Sequence, residues 1–173
     1  EFTMRLAKPG KTISQLNQSL LAEGIIGGKP LVEDFPELGE AGAVRLAATI
    51  LEESERAALD PVLMLAVIEV ESGWDPDAVS HKGARGLMQL MSSALEVEAR
   101  RAADLVPADP HDPFLNVRAG IRTYRRMLRA FKDPDLALVA YNAGPNRVAA
   151  LLRSGGIPER FRDYPRRVLA AEK

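Results

Sequence analysis

Nine successive residues, Val62-Leu63-Met64-Leu65-Ala66-Val67-Ile68-Glu69-Val70, contain a single polar side chain. Asp60-Pro61 stands before the run and Glu71-Ser72-Gly73 follows it. A helix through these residues is apolar on nearly every side, so it cannot lie on a surface with one face in water. It has to be a central helix, and the rest of the chain has to supply the elements that surround it.

Those elements are punctuated by the same device. Asp60-Pro61, Asp112-Pro113 and Asp133-Pro134 each pair a carboxylate that can accept orphan N–H bonds with a proline at N1, which has no donor to lose. The spacing predicts helices over about 61–72, 114–131 and 134–152, the last interrupted at Gly144-Pro145. Further helices are predicted over about 37–58, 86–102 and 158–171, and a short amphipathic one over about 13–23 with Ile13, Leu16, Leu20 and Leu21 inward. In the 37–58 helix, Val44, Ala47, Ala48, Leu51 and Ile50 face inward, and Glu52, Glu53, Glu55 and Arg56 form the exposed side. No window alternates with period two between turn signals. The fold class is all-α, with an N-terminal extension over residues 1–34 and a main domain over 35–173.

Composition removes several function classes. With no cysteine among 173 residues, disulfides, thiolate nucleophiles and cysteine-ligated metals are out. His81 and His111 lie thirty residues apart with no metal-binding spacing, so no catalytic metal is expected. No run is long and apolar enough for a membrane-spanning segment, and the first residues do not resemble a signal peptide. The near-zero net charge hides an asymmetry. Residues 1–115 hold ten Lys/Arg against nineteen Asp/Glu, and residues 116–173 hold thirteen against five. Arg118, Arg122, Arg125 and Arg129 recur at helical spacing, as a stripe that the acidic part of the same molecule neutralises or that draws a polyanion. Nucleic acid is not expected as a partner, because aromatic residues do not interleave with the basic ones.

Chemistry concentrates at the end of the apolar helix. Glu69 and Glu71 are two residues apart and point roughly 200° away from each other around the axis, so they cannot share a cleft. Glu71 sits in the last turn beside Gly73. Partial burial and the negative end of the helix both raise its pKa, as a general acid requires. The alternative is a structural carboxylate that binds the adjacent loop.

Three blocks then make a specific pattern. The first is Ala66-x-x-x-x-Glu71-Ser72-Gly73-Trp74-Asp75-Pro76-x-Ala78-x-Ser80-x-x-Gly83-Ala84-x-Gly86-Leu87-Met88-Gln89-Leu90-Met91. The second is Asn116-x-x-x-Gly120-x-x-x-Tyr124, and the third is Ala137-x-x-Ala140-Tyr141-Asn142-Ala143-Gly144-Pro145-x-x-Val148. Together they resemble the catalytic domain of the soluble lytic transglycosylases, bacterial murein-cleaving relatives of goose-type lysozyme. The resemblance covers roughly residues 56–171.

The resemblance implies a lysozyme-like helical domain with a substrate groove, and Glu71 as the catalytic acid. It implies cleavage of the β-1,4 bond between N-acetylmuramic acid and N-acetylglucosamine in peptidoglycan glycan strands. The products carry 1,6-anhydromuramoyl ends, and no cofactor is used. Tyr141 would hydrogen-bond Glu71, or else be a core-edge tyrosine satisfied by backbone. Ser80 would position its loop or bond an N-acetyl group. Gln89 and Asn142 offer donors and acceptors to acetamido groups and hydroxyls, or act as capping residues. Gly86 permits close backbone approach to sugar or helix. Ala143 lies within the third block. Met88 forms an apolar wall under a pyranose or a core residue, and Trp74 stacks on a sugar or is buried against the body.

The chain also departs from the family pattern. Met91-Ser92 replaces Met-Pro, and Arg160-Phe161-Arg162-Asp163-Tyr164-Pro165 occupies the place of Glu-Thr-x-x-Tyr-Val. The competing readings are a hydrolytic goose-type-like lysozyme, with Asp75 or Asp77 holding a water, and a non-catalytic murein-binding or assembly protein. An envelope or secretion-machine protein is the partner such a scaffold would take. The substrate places the protein in the bacterial cell envelope, periplasmic or extracellular.

Overall fold

A computed structural model describes residues 38–105 and 109–172. The helix expected over 13–23 lies outside the described residues. Among the described residues seven α-helices follow one another: α1 (Gly39–Ala57), α2 (Pro61–Ser72), α3 (Ser92–Ala99), α4 (Pro113–Phe131), α5 (Pro134–Ala143), α6 (Pro145–Arg153) and α7 (Asp163–Ala171). Short 3-10 turns cover Ala103–Leu105 and Glu159–Phe161. Among the described residues, extended pairing is limited to two antiparallel bridges, Val79 to Arg85 and Arg85 to Leu90. No helix of these is long and apolar enough to cross a membrane.

The three Asp-Pro starts form as their chemistry dictates. Asp60 Oδ1 accepts from Val62 N at 2.9 Å, Asp112 Oδ1 from Phe114 N and Leu115 N at 2.9 and 3.0 Å, and Asp133 Oδ1 from Leu136 N at 2.8 Å. Each cap is worth about 1 kcal/mol. In α2, five consecutive residues from Met64 to Ile68 are buried, which is possible only when helices pack on every side. Helices α1 and α7 both pack on α2, and α4 packs against α1 and α5. Leu46, Ile50, Met64, Ile68, Leu87, Met88, Ile121 and Leu138 share the main core. Leu90, Leu95, Leu105, Leu115 and Ala119 make a second, smaller one, and Tyr141 touches both.

Two sequence expectations need correction. The helix expected over 86–102 begins only at Ser92. Gly86 and Gln89 have φ of +74° and +46°, and Arg85 exchanges backbone bonds with Leu90 at 3.1 and 2.9 Å, so the chain turns back there. Glu53, expected on the exposed side of α1, is only 3% exposed. Arg122 on α4 reaches it with Nε to Oε2 and Nη2 to Oε1, both at 3.0 Å, and Arg56 adds a third bond at 2.8 Å. The same Arg122 guanidinium holds both oxygens of Asp104 at 2.9 and 2.8 Å. Arg126 likewise reaches the buried Glu98 at 2.8 Å. Within the arginine stripe, Arg122 is thus neutralised by acids of the same molecule.

Candidate active site

Helix α2 ends because Gly73 takes a left-handed conformation, with φ +57°, and its N–H returns to Glu69 O at 3.0 Å. Trp74 continues the left-handed turn at φ +70°, and its N–H donates to Ser72 Oγ at 3.1 Å. Such a φ is costly for a bulky residue and persists only where the surroundings hold it. Here the indole supplies the hold: Trp74 is 3% exposed and packed in the main core. Of its two sequence roles, burial against the body is the one realised, and the ring is no platform for a sugar.

The turn leaves Glu71 half-buried in the last turn of α2, with Glu69 exposed. Tyr164 of α7 donates its hydroxyl to Glu71 Oε1 at 2.6 Å. The Glu71 carboxyl is pushed up from 4.5 to about 7, chiefly because burial strips water from its charged form. The Tyr164 hydrogen bond and the positive charge of Arg167 oppose that rise without cancelling it. Tyr164, itself 4% exposed, is raised well above its ordinary value by burial and by the Glu71 charge beside it. It remains a donor.

Tyr141 does not make the bond expected of it. Its hydroxyl donates instead to Met88 O at 2.7 Å, and its ring meets Tyr124 edge-on with centroids 6.4 Å apart. It lies near enough to Glu71 for that charge to raise its own pKa, after burial, the larger cause. Tyr141 therefore ties α5 to the 86–91 turn, and α7 supplies the acid's partner. Asn142, next in the chain, is exposed at the end of α5, and Ala143 is half-buried against the core.

The loop between α2 and α3 is built on backbone bonds and one buried amide. Ser80 Oγ accepts from Ala84 N at 3.0 Å, while Ser80 N donates to Ala84 O at 2.9 Å. Its loop-positioning role is the one seen. Gln89 Nε2 donates to Ala78 O and Gly86 O at 3.0 and 2.9 Å, closing the turn from inside. Asn116 of α4, fully buried, accepts from Met88 N at 2.8 Å and donates to Arg85 O and Pro110 O at 3.0 and 2.7 Å. A Cβ at Gly86 would strike Pro110 O and the Asn116 amide, so this glycine serves approach to the helix. Met88 has no exposed surface and fills the space left by Gly120, so it is a core residue and no wall for a pyranose.

The structure thus brings Glu71 together with Tyr164, Tyr141 and the charge of Arg167. It turns Trp74 and Met88 away from solvent. Sequence reasoning passed over Tyr164 because the motif around it is altered at Arg160, Phe161 and Pro165; the retained tyrosine was the available signal. Asn116 carried a signal of its own, since an amide between Leu115 and Val117 on an inward face needs partners.

Residues 48–160 match the family model described as Transglycosylase SLT domain, and the chain belongs to that family. A relative called Transglycosylase, from Enterobacteria phage PRD1, is 35% identical over 107 residues, covering 62% of this chain and 38% of that protein. Membrane-bound lytic murein transglycosylase F of Alcanivorax borkumensis is 32% identical over 128 residues, covering 68% and 26%. Among solved structures, the 70 kDa soluble lytic transglycosylase SLT70 of Escherichia coli superposes with a TM-score of 0.63 at 25% identity, covering 95% of this chain and 30% of that one. Lytic transglycosylase Slt of Pseudomonas aeruginosa gives 0.64 at 22% identity, covering 92% and 29%, a likeness of fold. The architecture is the lysozyme-like all-α domain. The chain spans about a quarter to two-fifths of the length of these proteins.

Proposed function

We propose that this domain is a peptidoglycan lytic transglycosylase with Glu71 as its one acid and base. The observation that carries the reading is a half-buried carboxyl with a pKa of about 7 at a helix end, bonded to a tyrosine. With Oε1 accepting from Tyr164, Oε2 carries the acidic proton. Glu71 gives that proton to the glycosidic oxygen, and the bond from muramoyl C1 to the leaving N-acetylglucosamine breaks. Positive charge at C1 is supported by the substrate's own N-acetyl carbonyl, so a second carboxylate is unnecessary. The ionised Glu71 then takes the proton of the C6 hydroxyl as that oxygen bonds to C1, closing the 1,6-anhydro ring. Intramolecular attack outruns water by proximity.

The surroundings of Asp75 and Asp77 favour this route over hydrolysis. Asp75 Oδ1 caps its own turn through Asp77 N at 2.8 Å, and Asp77, 88% exposed, lies 3.8 Å from His111. Neither is arranged to activate a water. Asn142 and the Oε1 of Gln89 are the polar groups we assign to substrate hydroxyls and acetamido groups. Ser80 and Tyr141 hold the surrounding backbone. Residues 1–34 form an extension to a catalytic domain over 35–173, and the protein works in the bacterial envelope, where its glycan substrate lies.

Digestion of isolated sacculi tests the reading, with products weighed by mass spectrometry. Anhydro-ended muropeptides are expected from the unaltered chain, and Glu71→Gln is expected to release them hundreds of times more slowly, within the range of general-acid effects of about 10²–10⁴. Reducing ends alone would establish hydrolysis instead. Removal of residues 1–34 is expected to leave both the product spectrum and the cooperative unfolding of the remainder in place.

A further inference from the structure

The last helical segment carries two different sets of charges. Glu159–Phe161 form a 3-10 turn, and Arg162 joins it to α7, which begins at Asp163. In one set, Arg166 pairs with Glu159 and, at 3.3 Å, with Asp163. Arg162 adds a contact with Glu159 at 3.7 Å. That face neutralises itself.

A second set is Arg160, in the 3-10 turn, with Tyr164 and Arg167 three residues apart on α7, Tyr164 being the residue bonded to Glu71. Both arginines are exposed, and neither lies within ion-pair distance of a carboxylate among the described residues. Aromatic faces fix them instead. Arg167 lies over the Tyr164 ring at 5.8 Å from its centroid, and Arg160 and Arg147 flank Phe161 at 5.0 and 4.9 Å. Arg147, from the first turns of α6, is likewise exposed and unpaired among these residues. Two guanidiniums on one ring repel each other, and an acid beside them would relieve that. Stacking leaves the guanidinium edges, with their paired N–H donors, free for a planar anion. Arg167 lies ~4.5 Å along α7 from Tyr164, and Arg160 stands in the turn that leads into the same helix, so both charges belong to the segment that carries the acid's own partner.

We infer that Arg147, Arg160 and Arg167 form a carboxylate-reading patch around the start of α7, which selects murein strands bearing anionic groups over neutral glycan. The inference rests on the transglycosylase reading. The carboxylates come either from stem peptides or from the lactyl group of muramic acid freed of its peptide. Arg167 has a double part, since its charge also reaches Glu71, so the other two arginines carry the test.

Full-length Glu71→Gln protein serves as a non-cleaving binder in calorimetry. Its ligands are peptide-bearing glycan strands, the same strands stripped by an amidase, and a neutral chitooligosaccharide. Adding Arg147→Gln and Arg160→Gln is expected to weaken binding of peptide-bearing strands about fivefold and to flatten its salt dependence. Chitooligosaccharide binding is expected to stay as it was. Arg166→Gln, in the self-paired set, is the matched control and is expected to change neither. If the stripped strands, whose lactyl carboxylates the amidase sets free, show the same arginine dependence, either carboxylate is read; if they lose it, the stem peptide alone is. Equal weakening toward the neutral saccharide, or none toward peptide-bearing strands, overturns the inference. Sacculus digestion by the unaltered chain separates the two layers: cleavage without charge selection sinks only this inference, and no cleavage sinks the reading beneath it.

Discussion

Glu53 and Glu71 lie in the C-terminal halves of neighbouring helices, and both are largely withdrawn from water. Their surroundings could hardly differ more. Glu53 receives three charge-assisted hydrogen bonds from two arginines, and one of those arginines grips Asp104 as well. Among the described residues Glu71 receives one bond, from a neutral phenol, and the charge of Arg167. Burial with cations beside it makes a carboxylate a fixed strut. Burial beside a tyrosine makes it an acid that holds a proton near neutrality and can release it. The difference lies in what α4 and α7 bring to each site, since the residue type is the same.

The largest effect expected from breaking this contrast is at Glu71 itself: the glutamine variant loses activity by two orders of magnitude or more in muropeptide release. Next comes Arg122→Met. It leaves the Glu53 carboxylate buried with only Arg56, and it is expected to lower unfolding free energy by about 3 kcal/mol in urea titrations. Turnover per folded molecule should survive, because the strut performs no chemistry.

Tyr164→Phe sharpens the comparison from the other side. The hydroxyl lowers the Glu71 pKa, so its removal should move the basic limb of the pH–kcat/KM profile upward from about 7, with activity reduced about tenfold. A tyrosine of purely structural value would leave that limb in place.

The smallest effect concerns stability. A folded-state pKa raised from 4.5 to about 7 means that the native protein binds the extra proton, so Glu71 costs stability as pH climbs through that interval. The penalty is absent below about pH 4.5. Glu71→Gln should therefore raise the unfolding free energy at pH 8 and not at pH 4, by an amount on the order of 2 kcal/mol, seen as a higher thermal midpoint. Asp104 acts oppositely. Its pKa is lowered, first by the Arg122 hydrogen bonds, so its contribution is present at neutral pH and lost in acid.

Much of the helical frame was legible because its signals are local. An aspartate before a proline caps a helix whatever packs on it later, and all three such pairs did so. A run apolar all round can only be interior, and α2 is. The 86–91 turn was misread because two residues with positive φ break a sequence whose composition suits a helix. Glu53 was misread for the opposite reason: a charge at an apparently outward position is drawn inside by an arginine sixty-nine residues away.

Residue order by itself determined that α2 is enclosed and that Glu71 sits at its end, because periodicity and capping act within a few residues of the chain. It also determined the surplus of cations after residue 115. Only the tertiary structure decided that Tyr164 and not Tyr141 holds the acid, that Trp74 and Met88 are core, and that one arginine set is paired while its neighbour is open. Those outcomes depend on which side chains meet across helices, and a hydrogen bond or ion pair is set by distances of a few ångströms that sequence spacing does not encode.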